Sequence, residues 1–139
     1  FTMQVLYASE VGGETLEQAA ETLAREEPPV PPDAKAYGLQ LARTVRMRAG
    51  EIDRLIGGVS DRWDVTRLAV IDRIILRMAV AELLAEPDVP VKVCLNEAVE
   101  IARKFSTEDS SRFVNGVLDA VARELQNLPS ESHTESAQG

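Results

Sequence analysis

Apolar residues recur along the chain at the spacing of helix faces, and no segment alternates as a strand does. In "FTMQVLYASE", Met3, Leu6 and Tyr7 fall on one side, and Gly12-Gly13 is expected to stop this first helix. "ETLEQAAETLAREE" sets Leu16, Ala19, Ala20 and Leu23 at i, i+3, i+4 and i+7, which predicts a second helix; "PPVPP" then forces an extended linker. Asp33 reads as the N-cap of a third, long helix from Ala34 to Ile56. Leu41, Val45, Ile52, Leu55 and Ile56 face inward on it, a bend is expected near Gly50, and Gly57-Gly58 ends it. The second half is more apolar. "RLAVIDRIILRMAVAELL" carries Leu68, Val70, Ile71, Ile74, Ile75, Met78 and Leu83 nearly all round, as a helix does when neighbours surround it. Pro87 and Pro90 close this central helix, and "VKVCLNEAVEIARKF" predicts another, with Val93, Cys94, Ala98, Ile101, Ala102 and Phe105 inward.

The last apolar segment carries a conflict. In "EDSSRFVNGVLDAVAREL", Asn-Gly between apolar flanks is a hairpin signal, yet Phe113, Val117, Val121 and Leu125 recur every four residues. Leu118 and Ala122 widen that stripe, so the segment is one helix. An interior glycine costs about 1 kcal/mol relative to alanine. Asn115 and Gly116 are therefore expected to be structural, with another backbone packed closely at Gly116 and the Asn115 amide satisfying a buried polar group. After Gln126 the tail is polar, and 127–139 is expected to be disordered.

The pattern amounts to an all-α chain with three helices before Gly58 and three or more after. Residues 1–126 form a single helical domain, with helical halves at 1–58 and 60–126. At 139 residues the chain can bury about two thirds of its surface without disulfides or metals. Its one cysteine, Cys94, cannot form an internal disulfide, which fits a reducing, cytoplasmic setting, and one histidine, His133, excludes a Cys/His metal cluster by count. No run reaches the about eighteen unbroken apolar residues of a membrane helix, since Asp72, Arg73 and Arg77 interrupt the greasiest stretch. The opening at Phe1, without Met and already inside an apolar pattern, leads us to expect further residues ahead of it. A net charge of −8 argues against nucleic acid. Its distribution softens that: residues 1–33 hold seven acids against Arg25 alone, and the rest of the chain is near balance.

Candidate chemistry is sparse. Cys94 lies on an apolar face without a histidine and reads as a buried structural thiol. Glu97 and Glu100 share a face but lack the histidine three residues on that a di-iron bundle needs. The glycine pairs at 12 and 57 lack the Lys-Ser/Thr of a phosphate loop and read as helix stops. No catalytic residue, metal site or cofactor is assigned. Lys92, Arg103, Lys104 and Arg112 gather on the last two helices, where Glu100 with Lys104, Glu108 with Arg112 and Asp119 with Arg123 are acid-before-base pairs at i, i+4. Asp72, Arg73 and Arg77, on an otherwise apolar helix, are either paired internally or covered by a partner.

"RWDVTRLAVIDRIILRMAVAEL" followed by "DVPVKVCLNEAVEIARKFSTEDSSRFVNGVLDAV" resembles the NusB family of bacterial transcription antitermination factors, as does "MQVLYASE" near the start. The likeness is strong from Trp63 to Val121 and loose from Gly12 to Ser60. A related domain opens RNA 5-methylcytosine methyltransferases, but this chain has neither room for a methyltransferase domain nor a glycine-rich cofactor loop.

The resemblance implies two small helical bundles packed together and no catalysis. It implies pairing with the small-subunit ribosomal protein NusE, binding of boxA-type single-stranded RNA in nascent ribosomal RNA leaders, and entry into the antitermination complex with RNA polymerase. Tyr7 and Asp72 match the family's contact positions for NusE, with Arg73 and Arg77 nearby. Gln4, Asp109, Arg112 and Phe113 match its RNA positions, where an aromatic beside a cation suits single-stranded RNA. This sequence departs from the pattern in having Phe105-Ser106 for the usual Phe-Gly, Ala81 where an aromatic is common, and no arginine-rich segment, so dependence on the partner for RNA is expected. The resemblance leaves monomer and homodimer both open. Two other functions remain alongside: an RNA-binding domain in ribosome or ribosomal RNA maturation, and a purely protein-interaction module.

Overall fold

The structure is a computed structural model that describes residues 1–59 and 68–127. Trp63 and its neighbours at 60–67, and the tail at 128–139, lie outside the described residues. Seven helices and no strand occur among those described: α1 (Thr2–Gly12), α2 (Leu16–Ala24), α3 (Pro32–Met47), α4 (Ala49–Val59), α5 (Val70–Ala85), α6 (Val91–Phe105) and α7 (Glu108–Asn127).

Local chemistry sets most boundaries. Gly13, at φ 76°, takes the left-handed conformation that ends α1, and its N–H donates to the Ser9 carbonyl at 3.2 Å. Thr15 and Gln18 form a capping box at α2, each side chain accepting from the other's backbone N–H at 3.0 Å. The expected Asp33 cap is corrected. Pro31 is the N-cap of α3, with Pro32 in the first turn, where the missing N–H costs nothing; Asp33 stands one residue further on, favoured by the helix dipole.

The long third helix is two helices. The chain leaves helical geometry at Arg48, not Gly50, and the Arg48 guanidinium forks onto Glu51 at 2.8 and 3.0 Å. Gly57 and Gly58 do not stop α4, which runs on to Val59. The N-terminal half therefore holds four helices rather than three.

α5 is the centre, with α1, α3, α4, α6 and α7 all packed on it. Ile74, Ile75, Leu76, Met78, Ala79, Val80 and Ala81 are buried, as the all-round apolar pattern predicts. One continuous core joins them to Val5 and Leu6 of α1, Leu41 and Val45 of α3, Ile52 and Ile56 of α4, and Val114, Leu118 and Val121 of α7. Each fully buried side chain of this size contributes about 1.5–3 kcal/mol. On α6, Cys94, Ala98 and Ala102 are inward as expected, but Val93 and Phe105 are exposed. The Cys94 thiol donates to the Ala79 carbonyl at 3.4 Å, and burial pushes its pKa well up, which suits a resting structural thiol.

α7 is helical straight through Asn115-Gly116, but the close packing expected at Gly116 and the buried partner expected for Asn115 are not found. Both residues are exposed, and a Cβ on Gly116 would meet nothing within 4 Å. The close approach expected there occurs at Gly38 instead. A Cβ on Gly38 would lie 2.5 Å from the Phe1 ring and 3.0 Å from Thr2 Oγ1, whose hydroxyl donates to the Gly38 carbonyl at 3.3 Å. Gly38 is what lets α3 cross the start of α1.

Candidate functional site

One side chain that the resemblance assigns to RNA, Gln4, and one that it assigns to the partner protein, Tyr7, line the same groove. Gln4 and Tyr7 stand one turn apart on α1. Together with Met3, Ala8, Leu23, Ile71 and Phe105 they line a shallow, almost wholly apolar groove of about 320 Å³. Tyr7 is 40% exposed and Phe105 38%. Two open aromatic side chains on one contiguous apolar surface mark a candidate interaction site.

Phe105, like Val93, lies outside the core where the helix stripe predicts it inward. It lies on the α6 stripe that runs through Cys94, Ala98 and Ala102, and that spacing predicts burial. The helix ends at Phe105, however, so no further turn carries the stripe into the core, and the ring stays on the rim. Lys104 Nζ lies 5.3 Å from the Phe105 ring centroid, a cation–π distance. Lys104 makes no ion pair among the described residues, because Glu100, its expected partner, pairs with Arg103 instead. Glu108 also goes to Arg103, at 3.3 Å, rather than to Arg112. Only Asp119–Arg123, at 2.9 Å, forms as expected.

The start of α7 adjoins this groove through Ser106 and Thr107. Thr107 Oγ1 accepts from the Ser110 N–H at 3.0 Å and caps the helix. Asp109 and Arg112 are exposed, paired at 3.5 Å. Phe113 is half-buried and packs against the core. The open aromatic beside a cation is therefore Phe105 with Lys104, while Arg112 offers a solvated cation one helix further along.

The α5 charges are arranged differently. Arg77 forks onto Asp53 of α4, Nε and Nη2 each at 2.9 Å, and also reaches Glu10 of α1 at 3.5 Å. Arg73 donates to Glu10 at 2.7 Å. Of the two explanations open for these charges, internal pairing accounts for both arginines: they tie α1, α4 and α5. Asp72 also turns inward, its Oδ2 accepting from Ser110 Oγ at 3.0 Å. Tyr7 alone of the four partner positions presents an open side chain.

A second cavity, of about 250 Å³, lies between α3, α5 and α6 on another side of α5. Tyr37 donates from its hydroxyl to Glu82 there, and both burial and Glu82 push the phenol pKa up. Glu97 is held above the usual carboxylate range by desolvation and by Glu82. Among the described residues no three His, Cys, Asp or Glu gather to hold a metal, and no helix is long and apolar enough to cross a membrane.

Comparison with known proteins gives one family. The model of the NusB family matches residues 1–123. The transcription antitermination protein NusB of Chloroherpeton thalassium is 41% identical over 125 residues; the match covers 90% of this chain and 59% of that relative's length. NusB of T. maritima superposes with a TM-score of 0.78 at 35% identity, over 96% of this chain and 92% of that one. A crystal structure of the antitermination factors NusB and NusE in complex with dsRNA contains a chain that superposes with a TM-score of 0.74 at 28% identity, over 88% of this chain and 91% of its own length.

Proposed function

The chain belongs to the NusB family, and from that premise we propose that it is a transcription antitermination factor. It pairs with the ribosomal protein NusE, and the pair binds boxA-type RNA of nascent ribosomal RNA leaders. The observation that carries this reading is the groove on which Gln4, Tyr7 and Phe105 converge, with Lys104 over the Phe105 ring and the start of α7 beside it. An apolar groove with an open tyrosine suits a protein partner. A ring with a cation beside it suits an unpaired base and its phosphate. Their contiguity suits a protein and an RNA bound side by side, and the solved relative that holds NusE and dsRNA supports the same pairing. The acidic net charge supports dependence on the partner, since the chain alone offers few cations to phosphate. The work proposed is binding, in the cytoplasm, with no catalytic step.

The test is titration of labelled boxA-type RNA with and without the ribosomal partner at two salt concentrations. Phe105→Ala is expected to weaken RNA binding by about 1–3 kcal/mol through one lost stacking platform. Arg112→Ala is expected to lower the slope of log K against log salt by about one. Tyr7→Ala should weaken co-purification of the partner, as loss of an aromatic anchor does. RNA binding untouched by the first two variants, with the partner bound, would show that this surface is not where RNA lies, and RNA bound equally well by the partner alone would leave a protein-interaction module as the function.

A further inference from the structure

Asp72 is the first-turn acid of α5, at a position that the sequence resemblance assigns to contact with the partner protein. In the fold its carboxylate faces α7. Ser110 Oγ donates to Oδ2 at 3.0 Å, while Oδ1 is buried with no hydrogen-bond partner among the described residues. A buried carboxylate oxygen without a donor is unfavourable, and such groups persist where something else fixes them.

What fixes it is a chain of hydroxyls. Ser106 Oγ and Thr107 Oγ1 lie 3.0 and 3.1 Å from Ser110 Oγ, and the Ser110 N–H donates to Thr107 Oγ1 at 3.0 Å. A serine hydroxyl has one proton to give. Because Asp72 can only accept, Ser110 must donate to it, and Ser106 and Thr107 are then the donors to Ser110. One carboxylate on α5 thus sets the direction of the three hydroxyl hydrogen bonds that meet at Ser110 Oγ, beside the backbone bond that caps α7. Ser111, the next residue, is 1% exposed and its hydroxyl donates to the Glu108 carbonyl of the same turn at 2.7 Å, so the turn that carries Asp109 and Arg112 is closed on itself as well as tied to α5.

We infer that Asp72 and Ser110 are a positioning pair: Asp72 holds the capped first turn of α7 at the angle from which Arg112 and its neighbours face RNA, without touching RNA itself. This rests on the functional reading above and adds to it the element of α5 that aligns the RNA-facing end of the chain.

The test compares Asp72→Ala, Ser110→Ala, the double variant and Asp72→Asn, which keeps an acceptor oxygen. Amide exchange at Ser110 and Ser111 is followed on the protein alone, and RNA affinity is measured with the ribosomal partner saturating. Each single alanine is expected to speed exchange at both amides about tenfold, as loss of a hydrogen bond to a charged group does. The double variant should go no faster, and Asp72→Asn should stay near wild type. RNA affinity should fall in the same order while the salt slope holds, because no phosphate contact is removed. Unchanged exchange in both single variants, or effects that multiply in the double, overturns the pairing. Exchange that responds as expected while wild-type protein and partner bind no RNA upholds the pair and overturns the functional reading instead.

Discussion

Arg77 in the middle of α5 and Arg112 in the first turn of α7 are both arginines for which the sequence resemblance raises a binding role, and the fold treats them in opposite ways. Arg77 is 19% exposed, forked onto Asp53 and within reach of Glu10. Arg112 is 72% exposed, with Asp109 at 3.5 Å as its ion pair. The difference follows from their helices. α5 is packed on five neighbours, so a cation there must find its counter-charge inside or leave a costly desolvated group. The first turn of α7 faces solvent, where water competes for the guanidinium and an ion pair is worth about 0–1 kcal/mol. A charge on an apolar helix therefore reports how helices are tied together, and a charge on a solvated turn reports what is free to meet a ligand.

Alanine at the two arginines tests this directly and carries the largest expected effect. Arg77→Ala removes two bonds to a carboxylate and leaves Asp53 and Glu10 without their shared cation, so it should cost about 1.5–3 kcal/mol in chemical denaturation. Arg112→Ala should stay within about 0.5 kcal/mol of wild type. Equal denaturation midpoints for the two variants would erase the contrast and return Arg77 to the binding surface.

The same contrast separates two glycines, with a smaller effect. Gly38 has the Phe1 ring and Thr2 where a Cβ would go, whereas Gly116 has open space. Gly116→Ala should raise stability by about 0.5–1 kcal/mol, the ordinary gain of alanine over glycine on an exposed helix. Gly38→Ala should lower it, because the crossing of α1 and α3 must open. A loss at Gly116 would mean that α7 is covered there after all.

These positions also mark how far the sequence is legible. Helix faces could be read because burial repeats every 3.6 residues, and so α2, α5 and α7 emerge near their observed bounds. The break at Arg48 could not, since Val45 and Ile52 keep the spacing of one continuous helix across it. Which glycine is crowded depends on which helix crosses which, and that is a fact of tertiary packing; the unusual Asn-Gly drew attention to Gly116, while Gly38 sits in an unremarkable stretch. Phe105 was hidden by the opposite effect, a periodic position left uncovered because its helix ends there. For the site, the resemblance in the sequence singled out Gln4 and Tyr7, and the fold puts both at one groove. It could not tell that Asp72, Arg73 and Arg77 are engaged inside, because residue type and spacing do not say whether a counter-charge waits on another helix.

The smallest expected effect carries the contrast to a pair of carboxylates at the α3–α5–α6 cavity. Glu82 is 8% exposed and accepts the Tyr37 hydroxyl, so its place inside is compensated by a hydrogen bond. Glu97 lines the same cavity from α6, and its pKa is raised by partial desolvation and by the nearby Glu82. A carboxyl whose pKa is higher in the folded chain than in the unfolded one favours folding in its protonated form. That contribution is complete below the unfolded value of about 4.3 and is lost as pH rises through the folded value. At neutral pH the ionised Glu97 is thus a small net cost. Glu97→Gln should raise the melting temperature at pH 7, with a free-energy gain under about 1 kcal/mol once solvent screening at this exposed side chain is counted. The gain should shrink as pH falls toward 4, where wild-type Glu97 takes up its own proton. Thermal melts of both proteins at pH 7 and pH 4 decide it: a variant less stable at pH 7 would show that Glu97 is held by a counter-charge, as Asp53 is, and belongs with the tied side of the molecule.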